Sequence, residues 1–191
     1  MCKPGPTFFF AIRVPELPAP SFEEMGRLDS TIRPVRPDSL HFTVQFLGRP
    51  SSDRMALMAE AGERVALRHH AFQLVVQGVG WFPSRERPTA LWLGAAAGAV
   101  QLGELAQALE RAAEGIGVAA ARREFQAHCT LARVHGEITA AGRGKLERMA
   151  GKLPGMIPCP LTVTEIHLLE SVAGGAGPSP YVTRQSFPLG S

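Results

Sequence analysis

Short apolar runs alternate with polar, Pro- and Gly-rich stretches along this chain, and two periodicities divide it into elements. TFFFAIRVP (7–15) predicts a buried strand ended by proline. Ser21, with Glu24 three residues on, carries a capping-box signature for a short helix. LHFTVQFLG predicts a strand over 39–48, and residues 51–70 a helix with Ser or Asp at its start and cations at its end, matching the helix dipole. Strands over 71–82 and 89–95 flank the turn PSRERP, and a helix over 99–117 runs into a Gly-rich end. A strand at 127–134, a helix near 138–151, a strand over 160–172 and a last strand over 181–189 complete the order. This succession is that of an α+β protein.

Two of these strands repeat a spacing. HFTVQFLG and HCTLARV each place a histidine two residues before a threonine in an apolar run. Simple alternation puts His41, Thr43 and Gln45 on one face and Phe42, Val44 and Phe46 on the other. It likewise groups His128, Thr130 and Ala132 against Cys129 and Leu131. Each motif strand is followed by a helix and then a strand, so the expected organisation is internally duplicated. No low-complexity linker parts the halves. Residues 1–191 are therefore read as a single domain of two intimately packed lobes, each contributing one H-x-T strand.

Composition narrows the setting. With 45% hydrophobic and 19% charged residues the chain is ordinary for a globular protein. A net charge of +3 admits an anionic partner without demanding one. Three cysteines without a C-x-x-C pair argue against a disulfide framework or a structural zinc site, and fit a reducing cytoplasm. The apolar run near the N-terminus is too short to span a membrane. A soluble, cytoplasmic, monomeric protein is the expectation.

An imidazole beside a hydroxyl, presented twice, suits an anionic tetrahedral group. One histidine can activate a nucleophile while the other protonates a leaving oxygen, with the hydroxyls on nonbridging oxygens. A single H-x-T tripeptide carries almost no information; two in alternating strands carry much more.

The paired motifs resemble the H-x-[ST]-x-apolar signatures of the 2H phosphoesterase superfamily. The wider text, from FFFAIRVP through VGWFPSRERPTALWLG to LLESVAGGAGPSPYVTRQSFPL, is similar to its RNA 2′,3′-cyclic phosphodiesterase branch, also called 2′-5′ RNA ligase. The resemblance implies a bilobal α+β fold, with two pseudo-symmetric lobes whose antiparallel sheets line a central groove and whose helices lie outside. It implies hydrolysis of RNA or nucleotide 2′,3′-cyclic phosphates to 2′-phosphates, with neither cofactor nor metal. Carried onto this chain, it makes His41 the proton donor and His128 the proton acceptor, with Thr43 and Thr130 as phosphate contacts.

Arg133 matches the family pattern T-L-A-R and is expected near the phosphate, although alternation turns it away from His128 unless a bulge intervenes. Tyr181 matches a position near the groove and is a candidate base or ribose contact. Cys129 is expected to be a small core residue, and Phe10 and Trp81 core aromatics. His69, His70 and His167 read as structural, whereas His135 stands at a strand end where it could touch substrate. GGAGPS (174–179) lacks the phosphate-loop pattern and reads as a connection. Rival functions are 2′-5′ ligation from the same site, an RNA-end-binding module without catalysis, and a metal-dependent hydrolase using both histidines as ligands.

Overall fold

A computed structural model describes residues 5–14, 17, 22–118, 124–153, 159–171 and 181–191. The capping box at Ser21 and the GGAGPS segment lie outside them.

The described strands are β1 (Thr7–Arg13), β2 (Ile32–Pro34), β3 (His41–Gly48), β4 (Phe72–Pro83), β5 (Pro88–Ala95), β6 (Cys129–Val134), β7 (Cys159–Val163), β8 (Glu165–Ser171) and β9 (Tyr181–Pro188). The helices are α1 (Phe22–Gly26), α2 (Ser52–Ala66), α3 (Ala99–Gly115) and α4 (Ala140–Ala150). Ser51 and Thr139 cap α2 and α4, each accepting a backbone N–H three residues on. No helix among the described residues is long and apolar enough to cross a membrane.

The strands form one antiparallel sheet in the order β7-β4-β5-β6-β3-β1-β8-β9, with β2 paired to β6. Two quartets meet where β3 and β6, the motif strands, pair at Phe42 and Cys129. The sequence order suggested consecutive duplicated halves. Instead β4, which follows the first motif, and β7, which follows the second, are neighbours in the same quartet. The repeated order of elements is therefore interleaved in space.

A second difference lies at Thr164. The single strand expected over 160–172 is two, β7 at one end of the sheet and β8 six places along it. A flat sheet would set them about 29 Å apart, yet two residue steps span at most about 7 Å. The sheet must therefore bend until its outer strands meet at Thr164. Leu189 donates its N–H to the Thr164 carbonyl there, at 2.8 Å.

Phe10, Phe42, Met58, Leu102, Leu105 and Phe187 centre the core, where α2 and α3 pack on the sheet. Gly62 lets α2 approach β1 closely, since a Cβ there would meet the Phe10 ring at 2.7 Å. Trp81 is partly buried against this core, as its apolar setting suggested.

Candidate active site

Each motif strand carries a bulge at the same place. On β3, Thr43 faces Ala11 and Gln45 faces Phe10, leaving Val44 as the extra residue. On β6, Thr130 faces Trp92 and Ala132 faces Leu91, leaving Leu131 extra. A bulge advances one strand by one residue, so the faces exchange beyond it. The assignment of Gln45 and Phe46 by simple alternation is accordingly corrected. Gln45 is 4% exposed, whereas Phe46 is 61% exposed on the histidine face.

Arg133 obeys the same geometry. Buried Leu131 and Ala132 absorb the bulge, and Arg133 then lies exposed on the face of His128 and Thr130. Phe46 and Arg133 are thus equivalent, each five residues after its histidine.

A cavity of ≈ 230 Å³ at the seam between the quartets is lined by His41, Thr43, His128, Thr130 and Arg133, with Val35, Phe9, Phe46 and Tyr181 among its walls. A wider depression of ≈ 620 Å³ between α2 and α3 contains none of these residues. All six residues singled out from the sequence therefore come together in one place. His135 is exposed and does not line this cavity.

The two rings are held alike. His41 Nδ1 lies 2.7 Å from the Ser39 carbonyl, and His128 Nδ1 lies 2.8 Å from that of Gln126. A carbonyl can only accept, so each Nδ1 carries its proton and Nε2 is left for chemistry. The packing around the rings differs. His41 is tilted against Phe9 and edge-on to Tyr181, with centroids 5.1 and 5.0 Å away. His128 stands edge-on to Phe82 at 4.9 Å, with Trp92 behind it at 6.2 Å. Gly80 admits that indole, because a Cβ there would come within 2.0 Å of it. The aromatics around the histidines, Phe9, Phe46, Phe82 and Trp92, were not singled out from the sequence as site residues, whereas Phe10 and Trp81 pack in or against the core as expected. The signal of the first four was present in the cross-strand pairing, which the sequence alone does not print.

Burial lowers His41 to about 4, against a supporting bond to Ser39, and the charges of Arg13, His128 and Arg133 push the same way as burial. His41 is consequently neutral near pH 7 while no anion is bound. Arg13, opposite His41 on β1, is itself fixed by donating to the Asp38 carbonyl at 3.0 Å and to Thr183 Oγ1 at 2.8 Å. Cys129 is fully buried, and burial pushes its thiol up to about 12. It is a core residue and no nucleophile. His167 bonds Ser186 Oγ at 2.8 Å, in keeping with a structural role. Among the described residues no group of three or more His, Cys, Asp or Glu side chains is placed to hold a metal ion.

A family model for LigT-like phosphoesterases matches residues 20–92. An RNA 2′,3′-cyclic phosphodiesterase of Aeropyrum pernix is 32% identical over 149 residues, spanning 77% of this chain and 81% of the relative. The chain belongs to the LigT-like phosphoesterase family. A second relative of that name, from Aquifex aeolicus, is 28% identical over 158 residues, covering 82% of this chain and 81% of its own. Among solved structures, Escherichia coli LigT complexed with 3′-AMP superimposes with a TM-score of 0.68 at 25% identity, covering 98% of this chain and 100% of that one. The Thermus thermophilus protein TT0787 gives a TM-score of 0.72 at 23% identity over 96% of this chain and 97% of its own, a likeness of fold. The 2H phosphoesterase resemblance and the α+β class stated from sequence thus both hold for this LigT-like chain.

Proposed function

We propose that this protein hydrolyses 2′,3′-cyclic phosphates at RNA ends or on nucleotides, leaving a 2′-phosphate and a free 3′-hydroxyl. The observation that carries the reading is the matched pair of imidazoles, each with Nδ1 tied to the backbone, beside two threonine hydroxyls and one arginine in a single cavity. Family membership and relatives named for this reaction support it.

In the proposed step, His128 Nε2 takes a proton from water as the water oxygen attacks phosphorus. The bond from phosphorus to O3′ breaks, and His41 Nε2 gives its proton to O3′. Thr43, Thr130 and Arg133 hold the nonbridging oxygens, and Arg133 offers a planar fork suited to two of them. His41 must be charged to act as donor, which it is not in the absence of an anion. The phosphate supplies the remedy, since a negative charge at that distance favours the imidazolium. Substrate thus creates its own acid. Tyr181 meets the ribose or base, a role supported by its edge-on contact with His41 and its position in the cavity lining.

The sheet's continuity through β3 and β6 supports one cooperative unit over residues 1–191. The buried free thiol of Cys129 agrees with a cytoplasmic setting, and we take the monomer as the working state.

The reading is tested by incubating the protein with cytidine 2′,3′-cyclic phosphate in excess EDTA and separating the products. We expect the 2′-phosphate at an undiminished rate. The 3′-phosphate, or turnover abolished by chelation, would refute the proposed step; a 2′-5′ linked product from RNA with a 5′-hydroxyl would favour ligation.

A further inference from the structure

Directly beside the cavity, the pairing of β2 with β6 sets Arg33 opposite Arg133. Directly opposed residues of an antiparallel pair share a face about 5 Å apart, where like charges destabilise the sheet. Neither guanidinium has an acidic partner within ion-pair distance among the described residues, and both are exposed. The juxtaposition is nevertheless firmly held. On one side of the pair, His135 donates its N–H to the Thr31 carbonyl at 2.9 Å; on the other, Val35 donates to that of Leu131 at 2.8 Å. Asp29 anchors the same segment, accepting from Thr139 Oγ1 at 2.6 Å, from the Thr31 N–H at 3.0 Å and from Thr31 Oγ1 at 2.8 Å, bonds that lower its carboxyl to about 2. Arg33 Nη1 donates to the carbonyls of Ser30 and Ile32, which orients the guanidinium and, among the described residues, leaves its other N–H groups open.

Position along β2 gives the pair a direction. Val35 lines the cavity, and Arg33, two residues back on the same face, stands one strand step further out, about 7 Å from it. An anion bridging the two arginines would relieve their repulsion and would lie next to the group bound at the histidines. We infer that Arg33, with Arg133, binds the phosphodiester one nucleotide upstream of the terminal cyclic phosphate, so that the site is built for an RNA chain end in preference to a mononucleotide. This rests on the phosphodiesterase reading and adds to it a substrate class and a residue that selects it.

The test compares cytidine 2′,3′-cyclic phosphate with a short RNA ending in the same group, for wild type, Arg33→Ala and Arg33→Lys. Arg33→Ala should raise KM for the RNA about tenfold, the scale of a charge-assisted phosphate contact, while KM for the nucleotide stays within about twofold. The slope of log kcat/KM against log salt for the RNA should flatten by about 0.7, the loss of one phosphate contact to a single strand. Arg33→Lys should recover part of the RNA affinity, which a change in folding would not explain. Equal effects on both substrates, or none on either, would overturn the subsite. Wild type turning over neither would instead overturn the phosphodiesterase reading, and the RNA subsite with it.

Discussion

His41→Ala and His128→Ala are each expected to lower kcat for a nucleoside 2′,3′-cyclic phosphate by about a thousandfold or more, near the upper range for one acid or base. Each ring presents a single free nitrogen to the cavity, and among the described residues no other histidine lines it, so neither loss can be covered from within the site. Binding of the 2′-phosphate product should weaken far less, because Thr43, Thr130 and Arg133 remain. Steady-state kinetics with calorimetric titration of the product separates these quantities. Affinity falling in step with turnover would point to an RNA-end-binding module whose histidines only recognise phosphate.

Arg133→Ala should cost roughly a hundredfold in kcat/KM, the scale of a charge-assisted donor aimed at developing negative charge. The same change should raise the pKa of His41, since Arg133 is one of the cations that lower it. Arg133→Lys should restore charge but not the planar two-point contact, and so recover only part of the rate. The kinetics of the two variants check this directly. Full recovery with lysine would reduce Arg133 to a point charge, and an unimpaired alanine variant would remove it from the phosphate site.

Much of this site was legible in the sequence because its chemistry is carried by two short strands. The histidines, threonines and Tyr181 follow from motif and resemblance, and the cavity gathers them. Arg133 was the harder case, since period-two alternation points it the wrong way. The bulge that corrects it also leaves a mark. With Gln45 and Ala132 buried beside the bulge set aside, the buried apolar positions run Phe42, Val44, Leu47 in one motif and Cys129, Leu131, Val134 in the other, a step of two followed by a step of three. That change of step, repeated, is what an inserted residue does to a strand.

The elements lost to sequence reading depend on long-range pairing. Splitting TVTEIHLL at Thr164 requires knowing that β4 and β1 await the two pieces in distant parts of the sheet. Trp92 joins the wall of His128 because Gly80, on the neighbouring strand, leaves room for its ring. Arg33 gains its meaning only from its partner across β2 and β6. Local pattern specifies which residues a strand offers; the sheet decides what they meet.

On this reading one phosphate sits between two imidazoles and charges His41. This is tested most directly by following both histidine rings by NMR across pH, with and without saturating inorganic phosphate. His41 should titrate at about 4 in the free protein and rise by roughly one to three pH units when phosphate binds, and phosphate should perturb the His128 ring resonances as it fills the cavity. A His41 that titrates near 6.5 without ligand, or that phosphate leaves unmoved while shifting only His128, would contradict the account.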